Sequence, residues 1–283
     1  MDTAVLRLHC PDQRGLVARV TGFVFEQGGN ILSSHQHIEE MGNRLFMRVH
    51  FDMADLASSR ADMEAVFAVL AGELDMVHAF SYSDERKRMA IMVSKYDHCL
   101  YDLFLRHQYG DLDADIALVV SNHPDLGDIA ERFDVPFHHV PVTRDTKQEA
   151  EKRTLALFEE YRVDFIVLAR YMQILASTLL DAYPNQIINI HHGFLPAFKG
   201  ARPYHQAYEK GVKIIGATAH YANEELDMGP IISQETVHVD HSHSAEDMLR
   251  MGRDVETQVL ARAVVAHIED RIMTFNNRTI IFD

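Results

Sequence analysis

The chain has 283 residues, 47% of them hydrophobic and 24% charged, which gives room for about two domains and excludes disordered, collagen-like and disulfide-stapled classes. Its 27 basic and 42 acidic side chains give a formal net charge of −15. Neither half carries the basic surplus that phosphate neutralisation needs, so no nucleic acid and no anionic membrane is expected as a partner.

Residues 3–9 alternate around Leu6 and Leu8 as a half-buried strand. The stretch Pro11-Asp12-Gln13-Arg14-Gly15 then opens a helical pattern of Leu16, Val17, Val20, Phe23 and Val24, with Asp12 placed as its cap. Gly28-Gly29-Asn30 stops that helix. A strand over 31–38, a turn at Met41-Gly42-Asn43 and a second strand carrying Leu45, Met47, Val49 and Phe51 predict a hairpin. A helix over 58–73 and an alternation of Met76, His78, Phe80 and Tyr82 complete β-α-β-β-α-β, the ferredoxin-like order, so a first domain is expected over 1–85.

The charged run Asp84-Glu85-Arg86-Lys87-Arg88 reads as a solvated crossover into a second domain over 86–283. There, apolar strand-like runs at 89–94, 115–121, 137–142, 163–169 and 186–190 alternate with helical patterns at 98–108, 125–134 and 145–162. This rhythm implies right-handed crossovers, a mostly parallel doubly wound α/β sheet, and ligands bound beyond the carboxyl ends of its strands. Another strand is expected over 216–221 and a helix over 244–267.

The densest polar signal on those strand ends is Asn189-Ile190-His191-His192-Gly193. Asn189 and His191 lie two apart and share a face while strand geometry persists, so an amide and an imidazole converge on one point. The turn-rich loop Asn223-Glu224-Glu225-Leu226-Asp227-Met228-Gly229-Pro230 can bring Asp227 to His191 if it folds over the same ends. The His238–His243 stretch looks metal-like, but it lacks the rest of a closed ligand set, so no metal is expected. Cys10 and Cys99 have no CxxC or Cys/His metal spacing and read as thiols of a reducing cytosol. The N-terminus has no apolar leader and no run approaches a membrane span, so a cytoplasmic location is expected.

Several segments carry a family likeness: Asn189-Ile190-His191-His192, Leu195-Pro196-Ala197-Phe198, Gly200-Ala201-Arg202-Pro203-Tyr204-His205-Gln206-Ala207, Gly216-Ala217-Thr218-Ala219-His220-Tyr221, Leu226-Asp227 and Gly229-Pro230-Ile231-Ile232. On these, residues 89–283 resemble the folate-dependent formyltransferase superfamily, and the whole chain resembles its hydrolytic, deformylating branch. The resemblance implies that Asn189, His191 and Asp227 form the catalytic set. It also implies that Leu168, Gln173, Ile174, Leu175, His220, Ala222 and Leu226 bind the folate. Residues 1–85 resemble an ACT domain through Asp12, Arg14, Gly15, Gly28, Asn30 and Ile31. Asp12, Arg14, Gly15, Gly28 and Asn30 are then expected to bind an amino-acid effector such as glycine or methionine, and pairing of such modules implies a homo-oligomer.

The reaction implied is hydrolysis of 10-formyltetrahydrofolate to tetrahydrofolate and formate, which balances the one-carbon pool and supplies formate for purine synthesis. No cofactor beyond the folate substrate is implied. Relatives that formylate a phosphorylated amine carry a glycine-rich loop after the first strand. Here Val93-Ser94-Lys95-Tyr96-Asp97-His98-Cys99-Leu100 has no glycine, and His192 stands where those transferases have proline. Gly193 replaces a usual serine and Lys199 a common apolar residue, changes expected to loosen the loop or affect acceptor choice. The alternatives are transfer to a small amine and a catalytically inactive folate- and amino-acid-sensing protein.

Overall fold

Ala4, Leu6, Leu8 and Cys10 alternate onto one buried face of β1 (Thr3–Pro11), as period two dictates for a strand covered on one side. They open the first of two compact units in a computed structural model that describes residues 2–196 and 203–283. After β1 come α1 (Leu16–Glu26), β2 (Asn30–Glu39), β3 (Arg44–Asp52), α2 (Arg60–Glu73) and β4 (Val77–Tyr82), forming an antiparallel sheet of order β2-β3-β1-β4. Phe23, Met63 and Phe67 of the two helices pack on Leu45, Met47, Val49 and Phe51 of β3.

Asp12 does not cap α1. The N-cap is Gly15, in the left-handed region at φ 88, and no side chain bonds the first turn. The backbone N–H of Asp12 instead donates to the carbonyl of Asn43 at 2.8 Å, which extends the strand pairing and carries Asp12 away from the helix start.

The first unit is not only the N-terminal segment. Residues 270–273 and 280–283 group with it, although the sequence pattern assigns them to the second domain. Ile272 and Met273 open the short strand β12 (Ile272–Phe275), Ile280 and Ile281 close its partner β13 (Arg278–Ile281), and the contacts of Asp270 just before β12 tie this segment to the first unit. Arg7 Nη2 pairs with Asp270 Oδ1 at 2.9 Å, and Arg48 Nε donates to the Asp270 carbonyl at 3.1 Å. These bonds occupy the face of the sheet opposite the helices.

The second unit comprises β5 (Lys87–Val93), α3 (His98–Tyr109), β6 (Ala114–Ser121), α4 (Gly127–Arg132), β7 (Phe137–His139), α5 (Lys147–Glu160), β8 (Phe165–Leu168), α6 (Ser177–Ala182), β9 (Ile187–His191), α7 (Pro203–Glu209), β10 (Ile214–Tyr221), β11 (Ile231–His238) and α8 (Ala245–Ile268). Its sheet runs β11-β10-β9-β8-β5-β6-β7. The pairs β6–β7, β5–β6, β5–β8 and β8–β9 are parallel, whereas β10 is antiparallel to both β9 and β11. Near-continuous burial of β5, β6 and β8 is what helices on both faces require. The chain leaves β5 toward β6 on one side and returns to β8 on the other. The crevice between the carboxyl ends of β5 and β8 is therefore the topological switch point, where such sheets bind ligands.

Candidate active site

Asn189 and His191 sit at the carboxyl end of β9, and antiparallel pairing sets Asn189 directly opposite His220 of β10 and His191 opposite Thr218. The imidazole of His220 donates from Nδ1 to the carbonyl of Tyr221 at 2.9 Å, which leaves Nε2 as an acceptor 3.2 Å from Asn189 Nδ2. That network fixes the amide orientation and leaves one N–H of Asn189 for a ligand.

Asp227 reaches the same point because the loop after β10 folds back tightly. Gly229 lies so close to the strand that an added Cβ would stand 1.7 Å from the Tyr221 carbonyl oxygen, and Asp227 itself is left-handed at φ 58, a conformation Asp tolerates better than most residues. Its carboxylate meets His191 Nδ1 at 3.3 Å through Oδ2 and His220 Nε2 at 3.8 Å through Oδ1. The hydrogen bond from His191 holds the Asp227 carboxyl well below the usual carboxylate range, outweighing burial. With Nδ1 turned to Asp227, His191 Nε2 is buried with no hydrogen-bond partner among the described residues.

These groups form the polar end of a cavity of about 260 Å³. All ten residues assigned from the sequence to catalysis or folate binding line it. Leu168, Ile174, Leu175 and Leu226, joined by Leu180, give it an apolar wall. Met172, Ile174 and Leu226 leave large apolar surface exposed at its rim, the usual mark of a ligand site. Asn223 Oδ1, a further lining atom, is a buried acceptor with no hydrogen-bond partner among the described residues. The loop after β9 is anchored despite Gly193. Buried Thr218 Oγ1 donates to the Gly193 carbonyl at 2.9 Å and accepts from the Leu195 N–H at 3.0 Å. Lys199 and the rest of 197–202 lie outside the described residues.

Sequence reasoning gave no role to Arg170, His192 or Glu256. Arg170 lines the cavity directly after β8, in the left-handed region at φ 65, and is 5% exposed. Its Nη1 lies 3.4 Å from Glu256 Oε2 of α8. Glu256 is 1% exposed, yet its carboxyl is held below its ordinary value. Burial pushes it up, and the hydrogen bond from His98 together with the Arg170 charge outweighs that push. His192, between His191 and Tyr204, is pulled down to about 4, first by burial and then by Arg170. The legible signals were a bulky residue ending a strand and an acidic residue on the otherwise apolar face of α8.

His98, Cys99 and Glu256 bring three potential ligand atoms within 4.8 Å of one another. Glu256 is already held by Arg170, whose guanidinium would repel a cation there, and burial pushes the Cys99 thiol well up. At the other stretch suspected of metal binding, β11 ends at His238. Asp240 there accepts from Ser242 and His243 within a turn.

The five residues assigned to an effector do not converge within one chain. Asp12, Arg14 and Gly15 precede α1, whereas Gly28 and Asn30 follow it, and eleven helical residues put about 16 Å between its ends. Gly28 has a packing reason to be glycine: at φ 87, a Cβ there would stand 2.2 Å from the Asp55 carbonyl oxygen.

Residues 87–264 match the formyl transferase family, and residues 4–68 match the ACT domain family. A formyltetrahydrofolate deformylase of Bacillus subtilis strain 168 is 48% identical over 283 residues, spanning 100% of this chain and 94% of that one. A solved formyltetrahydrofolate deformylase structure from Pseudomonas syringae pv. tomato has a TM-score of 0.98 at 44% identity, covering 100% of this chain and 95% of that one. A glycinamide ribonucleotide transformylase structure from Symbiobacterium toebii has a TM-score of 0.66 at 29% identity, covering 70% of this chain and 95% of that one. Fold and site together thus define a formyl transferase family member carrying an ACT domain. Within that family, the chain belongs to the formyltetrahydrofolate deformylases.

Proposed function

We propose that this chain hydrolyses 10-formyltetrahydrofolate to tetrahydrofolate and formate at the Asn189, His191 and Asp227 cluster. The observation that carries the catalytic assignment is His191 Nε2, a buried nitrogen with no hydrogen-bond partner among the described residues, beside the Asn189 amide at the polar end of an otherwise apolar cavity. Buried polar atoms are normally satisfied, so an orphan in a cavity wall points to a ligand.

The folate ring system lies along the apolar wall, with Asn223 Oδ1 available to its N–H groups. The formyl group then faces Asn189 and His191. Water attacks the formyl carbon, and the developing oxyanion accepts the remaining Asn189 N–H. A carboxylate held as low as that of Asp227 is a weak base, so His191 Nε2 takes the proton that water loses. Asp227 fixes the ring through Nδ1 and offsets the positive charge that forms. The same Nε2–H then faces the oxyanion and the departing nitrogen, and donates its proton as the carbon–nitrogen bond breaks.

The chain would act in the cytosol as a homo-oligomer, returning the one-carbon pool to tetrahydrofolate and releasing formate for purine synthesis. Its ACT domain supports regulation by a small molecule, with glycine and methionine the first candidates. Because the two ends of α1 are separated, the effector residues would converge only where two copies pair.

The test is to supply 10-formyltetrahydrofolate without an amine and follow both products. Stoichiometric tetrahydrofolate and formate are expected, with kcat reduced roughly 10²–10⁴-fold by Asp227→Asn. Unchanged turnover in that variant would remove Asp227 from the mechanism.

A further inference from the structure

The loop after the first strand of the second unit has no glycine, and the structure shows what occupies the crevice instead. From that loop, the Tyr96 ring lies 4.7 Å from the Arg170 guanidinium, and His98 Nε2 donates to Glu256 Oε2 at 2.8 Å. Tyr204 donates to Glu256 Oε1 at 2.8 Å. It can lie against α8 only because residue 252 is glycine, where a Cβ would stand 2.2 Å from the Tyr204 ring. Arg170, held from behind by Glu256, lines the cavity together with His192, whose ring neighbours those of both His191 and Tyr204.

Tyr96 and His98 belong to the loop after β5 and the start of α3, and Arg170 to the loop after β8. They therefore fill the switch-point crevice, which in a sheet of this topology is the default place for a ligand. An ion pair with both partners almost wholly buried is an expensive way to fill space, since desolvation offsets much of its attraction. A left-handed arginine adds a further cost. Such a cluster next to a reacting centre calls for a functional account.

We propose that Tyr96, His98, Arg170 and Glu256 form a plug that closes the acceptor side of the site, so that water reaches the formyl carbon and a larger amine nucleophile does not. The inference rests on the hydrolytic reading above. Water and an amine need the same balance of atoms. The nucleophile forms a bond to the formyl carbon and surrenders one proton, the bond from that carbon to the folate nitrogen breaks, and the nitrogen gains a proton. The catalytic trio would serve either acceptor, so the choice falls to access. Tyr96 is 40% exposed and His98 is nearly buried behind it, which makes them the outer part of the plug, and Tyr96 is the part whose removal leaves both hydrogen bonds to Glu256, from His98 and Tyr204, in place.

The experiment uses the full chain, 10-formyltetrahydrofolate and hydroxylamine, an amine unprotonated at neutral pH whose formyl product is a hydroxamate readable by its ferric complex. Wild type without hydroxylamine must release formate; failure there overturns the hydrolytic reading, whatever the variants do. With hydroxylamine, wild type should still yield formate almost exclusively above the enzyme-free background. Tyr96→Ala, and Tyr96→Ala combined with His98→Ala, should raise the hydroxamate-to-formate ratio at least fivefold. His98→Gln, which keeps a donor to Glu256 and most of the volume, should stay near the wild-type ratio. The plug is overturned if the folded alanine variants keep the wild-type ratio, if wild type itself forms hydroxamate freely, or if both alanine variants are folded but inactive with either acceptor.

Discussion

At the scale of single residues, the site separates a strongly ionised carboxylate from an imidazole kept neutral. Asp227 accepts from His191 most strongly in its charged form, whereas His192 loses solvent and gains the Arg170 charge, which disfavours protonation. His192 makes a testable contribution to stability. Unfolded, its imidazole titrates near 6.5; folded, near 4. Between those values the unfolded chain binds the extra proton, so the contribution is complete above about pH 6.5 and is lost as pH falls toward 4. Glu256 and Asp227 favour the protonated ring and His191 opposes it, but burial and Arg170 prevail. Urea unfolding of wild type and His192→Gln across this range should show wild type losing stability relative to the variant, by at most about 1.4 kcal/mol per pH unit. A constant difference between the two would show that His192 titrates normally in the fold.

At the scale of elements, position is set by backbone fit. Asp227 reaches His191 because Gly229 lets the loop pass against β10, and no side chain fits there. Gly229→Ala should leave the sheet folded but lift the loop, with kcat falling about 100-fold or more, the cost expected of a displacement near 1 Å. Retained thermal stability with lost activity is the expected pair of readings; near-normal kcat would mean that the loop does not place Asp227. The strand bearing Asn189 and His191 was legible from its apolar run, and so was the αβ alternation. The catalytic trio needed family resemblance, because spacing along a strand shows that two residues share a face but not which loop returns to them. Arg170 and Glu256 each left a local signal, but their pairing was illegible for a similar reason. Its partners lie 86 positions apart, and a charge on an amphipathic helix normally reads as solvated. Asp12 misled because Asp before a helical pattern is a good cap by type, while strand pairing through Asn43 outweighed that local preference.

At the scale of the whole molecule, the division into units follows burial and not chain order. Alternation in β3 placed Leu45, Met47, Val49 and Phe51 inward, but Phe46 is also buried and Arg48 nearly so. A sheet face with those residues covered needs something over it. Residues 270–273 and 280–283 supply that cover, with Asp270 bonded to Arg7 and Arg48, and the Asn276-Asn277 turn that joins the two segments, left-handed at both positions, is a hairpin signal readable in the sequence. Asp270 is itself left-handed at φ 53, so alanine there would confound backbone strain with loss of charge. Asp270→Asn keeps the shape and the conformational tolerance while removing the partner of Arg7. Because Arg7 is about a quarter exposed, screening reduces the cost below that of a fully buried pair, and a loss of roughly 1–3 kcal/mol is expected. The loss should fall on the first unit, so amide exchange should quicken along β1 and β3 while kcat stays near that of wild type. Unchanged exchange in those strands would show that the C-terminal segment covers the sheet without stabilising it through this pair.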